Sequence, residues 1–184
     1  MKKIFITNGS ATNGKDTFAK MIGDYISTYK YSSIDLVKDM LEFAGVPKEP
    51  KTEEKRLLYS DTKDRLTKYD DIPFKDITSI VTDFKNNKIE AEVLLIDIRE
   101  PEEITRAVKT FGAETILVRN PNAIKIESNH ADRDVENYEY DYIIENDGTL
   151  GQLERVAKLF ACDVVCGEHI PKKNKPFTLT CSKY

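Results

Sequence analysis

The sequence has no long apolar segment, few cysteines and no strong excess of either charge. None of its apolar runs approaches the roughly 18 residues of a membrane-spanning helix, and Met1-Lys2-Lys3 leads directly into a strand-like run rather than a cleavable signal. Three cysteines, Cys162, Cys166 and Cys181, do not make the even framework of a disulfide-stapled secreted domain. These absences predict a cytoplasmic protein with reduced thiols and no membrane partner.

The charge balance argues against a polymeric nucleic acid as the partner. The 184 residues include 28 basic and 32 acidic side chains, which give a formal net charge of −4. A whole-protein field of this kind does not steer a chain toward nucleic acid or an anionic membrane, so any anion site must be local. The length and the hydrophobic content of 40% fit one domain with a sizeable core.

A glycine-bounded loop near the N-terminus carries the main functional signal. After the apolar run Ile4-Phe5-Ile6, the spacing Gly9-x4-Gly14-Lys15 is that of a phosphate-binding loop, and a helical pattern follows it. The glycines allow a sharp turn and a close approach to phosphate, and Lys15 lies where the backbone N–H groups converge. Asp16 departs from the motif, which requires Ser or Thr at this position to hold Mg²⁺, and Thr17 follows one residue later.

The rest of the chain predicts alternating strands and helices. An apolar stripe from Phe18 to Tyr29 indicates one continuous helix after the loop, and Ser32 or Ser33 is a candidate cap for the next helix. Apolar runs at 93–97, 115–118 and 142–144 are typical of strands buried in a parallel sheet. With the N-terminal strand and a short one ending at Ser33, they predict a five-stranded parallel sheet with helices on both faces, a three-layer α/β/α fold.

Two segments lie outside this alternating pattern. The polar stretch at about 120–139 has few apolar residues, and we interpret it as a lid because structureless loops of that length are usually functional. The apolar pattern fades after Phe160. We therefore predict one domain over residues 1–160 and a C-terminal extension over 161–184 that is packed on that domain or trails from it.

Ligands of parallel α/β sheets bind beyond the carboxyl ends of the strands. Five separated pieces of this sequence lie at such ends: the loop at 9–17, Ser32-Ser33, Asp97-Ile98-Arg99, Arg119 and Asn146-Asp147. We expect them to converge on one crevice.

Three of these pieces carry a family resemblance. The loop ending Gly14-Lys15-Asp16-Thr17, the segment Ile96-Asp97-Ile98-Arg99 and the run Asp141 to Gly148 are similar to those of P-loop nucleotide and metabolite kinases. The chain most closely resembles the deoxynucleoside monophosphate kinase and phosphomevalonate kinase branch, in order over residues 3–160. The resemblance implies the P-loop containing nucleoside triphosphate hydrolase fold, the use of ATP with Mg²⁺, and an Asp at position 16 as a feature of the branch.

Phosphoryl transfer depends on positioning and charge neutralisation more than on covalent help, and the candidate residues divide accordingly. The loop backbone would cradle the β-phosphate, Lys15 would bridge the β- and γ-phosphates, and Thr17 would bind an inner phosphate. Asp16 and Asp97 fit Mg²⁺, directly or through water. The predicted ATP-binding residues are Asn13, Gly14, Lys15, Asp16, Thr17, Arg119, Arg133 and Asn146, the last by resemblance alone.

The acceptor site is less sharply predicted. Arg99 at a strand end would hold an acceptor anion bidentately, although an ion pair with Glu102 or Glu103 is the alternative. A phosphate monoester acceptor needs no general base, whereas a hydroxyl acceptor would need Asp16, Asp35 or Asp97 in that role. The candidate acceptor-binding residues are Ser33, Asp35, Lys38, Arg56, Lys63 and Arg99, and helix capping explains the serine and the aspartate at 33 and 35 nearly as well.

The sequence thus favours an ATP-dependent kinase of a small phosphorylated acceptor, a nucleoside monophosphate first among them, acting as a monomer or a homodimer. A kinase of another metabolite and a nucleotide-binding protein with little turnover remain the alternatives. In the tail, Cys162, Cys166, His169 and Cys181 are four soft metal ligands, but their spacing is not that of a zinc ribbon, and ordinary thiols explain them as well.

Overall fold

A computed structural model of the chain describes residues 2–10, 12–50, 52–123, 135–165, 167 and 176–183. Within these residues, the strands are β1 (Lys3–Asn8), β2 (Thr28–Ser32), β3 (Val93–Asp97), β4 (Glu114–Arg119), β5 (Tyr142–Glu145) and β6 (Phe177–Thr180). The α-helices are α1 (Lys15–Gly23), α2 (Asp35–Phe43), α3 (Glu53–Asp70), α4 (Ile72–Lys85), α5 (Pro101–Phe111) and α6 (Leu150–Leu159). A π-helical segment, Phe160–Val165, continues α6, and a 3₁₀ turn, Cys181–Lys183, follows β6.

The strands form one sheet in the order β2-β3-β1-β4-β5-β6, which places β1 and its loop at the centre. β1 pairs in parallel with β3 and β4, and β4, β5 and β6 continue the parallel pairing. The predicted three-layer α/β/α fold is confirmed, but the prediction of five strands was wrong because β6 adds a sixth. β6 is a four-residue edge strand in which only Leu179 is buried, so it leaves little apolar pattern in the sequence.

The main core lies on one face of the sheet. Phe5 of β1 packs there with Phe18 and Ile22 of α1 and with Leu153 and Val156 of α6, all of them buried. The residues of β1 that alternate with Phe5 are also buried, so both faces of the strand are covered, as expected for a central parallel strand. Since α1 starts at the end of β1, this packing fixes the direction in which the helix leaves the loop.

Phe160 joins several elements at the centre of that core. Its ring is fully buried and lies edge-on to Phe5 and Tyr142, with centroids 5.4 Å apart in each case, and 5.7 Å from Phe18. Phe160→Ala is expected to lower the free energy of unfolding in urea by about 3–5 kcal/mol, because it removes this contact area and leaves a cavity. The matched control Phe43→Ala removes a ring that is 96% exposed and should change stability by less than about 0.5 kcal/mol. Equal losses in the two variants would contradict the assignment of Phe160 to the core.

Two local predictions for the segment after the loop were wrong. The helix does not continue to Tyr29 but ends at Gly23, because residues 28–32 form β2 and Ser27 already accepts a backbone hydrogen bond from Glu92 at 2.9 Å. α2 is capped by Ile34 without a side-chain hydrogen bond, so neither Ser32 nor Ser33 caps it. Instead the Asp35 carboxylate accepts a hydrogen bond from the Ser32 backbone N–H at 2.9 Å.

The chain divides into two compact units, Met1–Lys30 with Glu90–Tyr184, and Tyr31–Ile89. The first contains the central strands and the loop. The second contains α2, α3 and α4, which contact one another, and buries Val37, Ile77 and Phe84. The single kinase domain at 1–160 and the extension at 161–184 stay predictions. None of the helices in the described parts of the chain combines the length and the apolar character needed to cross a membrane.

Candidate phosphate-binding site

The loop between β1 and α1 has the backbone geometry that its glycines require. Gly14 caps α1 in the left-handed region, at φ 88°, and supplies no side chain to the helix N-terminus. A Cβ at Gly9 would lie 2.5 Å from the Val118 carbonyl oxygen, so a larger residue would clash with the neighbouring strand β4. The first N–H groups of a helix have no intrahelical acceptor, and here no side chain caps them. They are therefore available to an anion.

Two lysines and two aspartates meet beside this loop. Lys15 Nζ lies 2.5 Å from Asp97 Oδ2 and 3.0 Å from Asp16 Oδ1. Lys30 Nζ contacts the same Asp16 oxygen and lies 3.1 Å from the same Asp97 oxygen. Thr7 donates a hydrogen bond to Asp97 Oδ1, which fixes the carboxylate at the end of β3. The structure thus brings Lys15, Asp16 and Asp97 together as predicted from the strand ends, and it adds Lys30.

The ammonium groups dominate the local electrostatics. Burial by itself would raise the pKa of Asp16, but the charges of Lys15 and Lys30 outweigh it and hold the pKa of that carboxyl well below its ordinary value. Burial would lower the pKa of Lys30, and the carboxylates of Asp97 and Asp16 raise it instead. Both side chains therefore stay charged at neutral pH.

Asn8, at the end of β1, connects the loop to two other segments. Its side-chain oxygen accepts a hydrogen bond from the Gly9 N–H at 2.8 Å, and its Nδ2 donates to the Arg99 carbonyl at 3.2 Å and to the Tyr140 hydroxyl at 2.8 Å. Tyr140 in turn donates to the Val135 carbonyl at 2.7 Å. Asn8 is buried, and this network fixes the position of the backbone at Arg99 relative to the loop.

A cleft of about 260 Å³ opens at the loop. Its lining brings Arg99 to the same space as the loop, Lys15 and Asp16, as the positions of these residues at strand ends predicted. The lining residues are Gly9, Ser10, Thr12, Gly14, Lys15, Asp16, Thr17 and Arg99. The cleft therefore combines uncapped helical N–H groups with Lys15, Arg99 and the Asp16 carboxylate, and Asp97 and Lys30 contact Lys15 and Asp16 beside it. Such a set is suited to phosphate and a hard cation.

Comparisons with known proteins give only distant likenesses. No protein-family model matches the sequence, and no curated protein does either. Among solved structures, a shikimate kinase from Aquifex aeolicus is 13% identical with a TM-score of 0.49, over 90% of this chain and 99% of that one. TT1252 from Thermus thermophilus is 17% identical with a TM-score of 0.43, over 89% of this chain and 98% of that one. TM-scores below 0.5 are too low to carry an argument about function.

The chain's own topology decides its fold. A glycine-bounded loop with a lysine joins the central strand of a parallel sheet to a helix whose N-terminus is uncapped. This is a P-loop in a three-layer α/β/α fold.

Two further candidates for the ATP side have partners within the protein. Arg119, at the end of β4, donates to Glu145 at the end of β5, with an Nε to Oε1 distance of 2.8 Å. Asn146 Nδ2 donates to the Asn13 carbonyl of the P-loop at 3.0 Å, and a Cβ at Gly14 would meet that amide at 2.5 Å. Their contacts with phosphate and adenine stay predictions. Arg133 and the part of the predicted lid from 124 to 134 lie outside the described residues.

The other acceptor candidates belong to the second unit. Lys38 pairs with Asp35 at 2.8 Å within the first turn of α2, and Ser33 is buried just before that helix. On α3, Arg56 is exposed, whereas Lys63 is buried with only 8% of its surface accessible. Lysine side chains are rarely buried, so Lys63 is unusual in a helix of so many charged residues.

Sequence reasoning missed Lys30 because the predicted helix was extended to Tyr29, which left only the end of the following short strand, Tyr31 to Ser33, as predicted strand. The strand Thr28-Tyr29-Lys30-Tyr31-Ser32 contains the signal that would have identified it. In a strand, alternate side chains point to opposite faces, so a lysine between two tyrosines faces away from both. Starting the predicted strand at Thr28 would therefore have directed attention to Lys30.

The C-terminal cysteines differ in environment. Cys162 is exposed, whereas Cys181 is fully buried beside Gly148. The described residues contain no group of three or more His, Cys, Asp or Glu side chains that could hold a metal ion. Cys166 and His169 lie outside these residues, so the alternative of a metal site in the tail stays open.

The different exposure of Cys162 and Cys181 predicts that a thiol reagent modifies only Cys162 of the two in the folded protein. Burial raises the pKa of the Cys181 thiol to about 11, so roughly one such thiol in a thousand is ionised at pH 8. In a Cys166→Ser background, a disulfide reagent at pH 8 should therefore modify Cys162 and leave Cys181 unreacted until urea unfolds the chain, since the thiolate is the reactive form. Mass spectrometry of the two cysteine peptides gives the answer. Equal labelling in the native state would contradict the burial of Cys181.

Proposed function

We propose that this protein is an ATP-dependent kinase that phosphorylates a small phosphorylated acceptor, with a (deoxy)nucleoside monophosphate as the first candidate. The observation that carries the proposal is the meeting of Lys15 and Asp97 at 2.5 Å beside the uncapped N-terminus of α1. A lysine at this point neutralises phosphate charge, and the N–H groups around it bind phosphate oxygens directly.

The P-loop would hold the ATP phosphates. The N–H groups at the start of α1 would accept the β-phosphate, Lys15 would contact the β- and γ-phosphates, and Thr17, which also lines the cleft, would bind an inner phosphate. The Asn146 side chain holds the Asn13 carbonyl of the loop, so the loop is anchored on the side of β5 before any nucleotide binds. Preorganisation of this kind lowers the cost of ordering a binding loop.

The carboxylates fit a magnesium ion. Asp16 Oδ1 and Asp97 Oδ2 converge on the same two ammonium groups, so these oxygens already share a position at which a positive charge is favourable. Mg²⁺ in kinases is held by one or two carboxylates, with phosphate oxygens and water completing its coordination. Asp16 and Asp97 would supply those carboxylates. When bound, the ion neutralises charge on the phosphates.

The same cluster favours a phosphorylated acceptor over a hydroxyl acceptor. A hydroxyl nucleophile is assisted by a general base, and the best candidates are Asp16, which lines the cleft, and Asp97, which contacts Lys15 beside it. Both carboxylates are held by lysine ammonium groups, and the low pKa of Asp16 makes it a weak proton acceptor. A phosphate monoester is largely ionised near pH 7 and needs no base, and Arg99 would supply the guanidinium that binds its charge.

The experiment is an assay of ADP release from Mg·ATP in the presence of a panel of acceptors. The panel contains the deoxynucleoside and ribonucleoside monophosphates, small phosphorylated metabolites, and matched compounds that carry a hydroxyl but no phosphate. We expect stimulation by at least one nucleoside monophosphate. Stimulation only by another phosphorylated compound would support the kinase activity and show that the acceptor is not a nucleoside monophosphate. Stimulation by hydroxyl compounds alone would contradict the phosphorylated acceptor, and ATP binding without any turnover would indicate a nucleotide-binding protein.

A further inference from the structure

Lys30 is the one charged member of the cluster that neither the P-loop motif nor the resemblance assigns. It ends the N-terminal segment of the first unit, Met1–Lys30, and lies in the edge strand β2. Its ammonium reaches Asp16 on α1 and Asp97 at the end of β3, so a single side chain contacts two separate elements of the site. A simple surface ion pair would need only one of these contacts.

The charge at position 16 explains why such a lysine is needed. A typical P-loop has an uncharged Ser or Thr there, whereas this chain has a carboxylate in the same cleft as the phosphate-binding groups. Lys15 contacts both Asp16 and Asp97, and one ammonium cannot neutralise two carboxylates. Without Lys30, Lys15 and the two aspartates would together carry one negative charge at the place where an anionic nucleotide must bind.

We propose that Lys30 is a positioning residue of the phosphate site, which neutralises the Asp16 carboxylate and so allows a P-loop with Asp at this position to bind an anionic nucleotide. The inference rests on the proposed nucleotide site. In this proposal the Asp16–Lys30 ion pair replaces the usual P-loop hydroxyl. The P-loop binds nucleotide with both residues present, whereas Asp16 without Lys30 disfavours nucleotide binding. A charged pair at this position also keeps Asp16 ionised and available for a metal ion.

The size of the effect follows from the exposure of the pair. The Asp16 side chain is 74% exposed and that of Lys30 is 36% exposed, so water screens part of the interaction. An uncompensated charge near a bound phosphate at such a site should change affinity by about 10-fold at low salt. The effect should shrink as the salt concentration rises, because screening weakens interactions between exposed charges.

The test is a double-mutant cycle read by calorimetry of ADP binding in EDTA, so that neither turnover nor a metal ion contributes. Lys30→Gln should weaken ADP binding by about 10-fold in 50 mM salt. The same change in an Asp16→Ser background, which has the ordinary P-loop hydroxyl, should weaken binding by less than about 3-fold. Lys30→Arg, which keeps the charge, should restore most of the affinity. The control is Lys20→Gln. Lys20 is an exposed lysine on α1, the helix that carries Asp16, and its replacement should leave binding unchanged.

The outcomes separate this inference from the proposed function. An equal loss of ADP affinity from Lys30→Gln in both backgrounds, or no loss in either, would overturn the role of Lys30. The nucleotide site would still stand if Lys15→Ala abolished ADP binding. If the wild-type protein bound no ADP, both the nucleotide site and the role of Lys30 would be wrong. Circular dichroism of each variant checks folding. A variant that fails to fold is replaced by Lys30→Met, which keeps the aliphatic part of the side chain, and the same comparison is made.

Discussion

Lys15→Ala is expected to lower kcat/KM for Mg·ATP by about 100-fold or more and to abolish measurable ADP binding in EDTA. Lys15 is the only lysine that lines the described part of the cleft. Its ammonium lies at the uncapped end of α1, where the phosphate charge is expected, and only 14% of its side chain is exposed. Removing it takes away a direct phosphate contact and leaves Asp97 with less compensation.

The appropriate control for this variant changes the same residue type on the same helix. Lys20→Ala in the last turn of α1 removes an equal charge from an exposed position and should alter kcat/KM by less than about 2-fold. A second control is the free energy of unfolding, which should be similar in the two variants. Lys15→Ala with an unchanged rate would mean that the cleft is not the ATP site, whatever the acceptor proves to be.

The parts of the site that could be predicted are those encoded by neighbouring residues. The P-loop is one continuous segment, and its glycine spacing, its preceding strand and its helix all lie between Lys3 and Gly23. β3 could also be predicted from its own residues, since Val93 to Ile96 form an apolar run, all of it fully buried, and Asp97 follows them directly. Parallel pairing then brings Asp97 opposite Thr7 without further information from the sequence. Local pattern and sheet topology together therefore place Lys15 and Asp97 next to each other at the carboxyl ends of the strands.

The parts that could not be predicted depend on pairing at the edges of the sheet. Both edge strands were misjudged: the start of β2 was missed because its aromatic residues also fit the end of a helical stripe, and β6 was missed because it buries so little. The late start assigned to β2 concealed Lys30, whose partners are distant in sequence. The requirement for Gly9 also depends on strand pairing, since a Cβ there would clash with the carbonyl of Val118 on the neighbouring strand β4.

The contacts of Asp16 explain a residue that the sequence alone left as an exception. In the sequence, Asp16 replaces the usual P-loop hydroxyl, and the resemblance makes it a feature of one kinase branch. In the structure, it shares two lysines with Asp97, which gives the departure a physical consequence. A carboxylate at position 16 requires a compensating positive charge, and Lys30 of strand β2 supplies it.

Asp97→Asn is expected to lower kcat by about 100-fold and to weaken the dependence of the rate on Mg²⁺. Asparagine keeps the shape of the side chain and can still accept the hydrogen bond that Thr7 donates, so the end of β3 should be preserved. What is lost is the charge that faces Lys15 at 2.5 Å and that would help hold the metal ion. Two ammonium groups would then face the single carboxylate of Asp16.

That excess positive charge makes the prediction for binding opposite in sign to the prediction for turnover. ADP in EDTA should bind Asp97→Asn at least as tightly as it binds the wild-type protein, because a negative charge has been removed from beside the phosphates. The Mg²⁺ concentration for half-maximal rate should rise, since one carboxylate ligand has been lost. Asp24→Asn, at the exposed C-terminal cap of α1, is the matched control and should change neither quantity. A parallel loss of ADP affinity and turnover in Asp97→Asn would show that Asp97 acts by holding Lys15 in place, and the metal role would then be excluded.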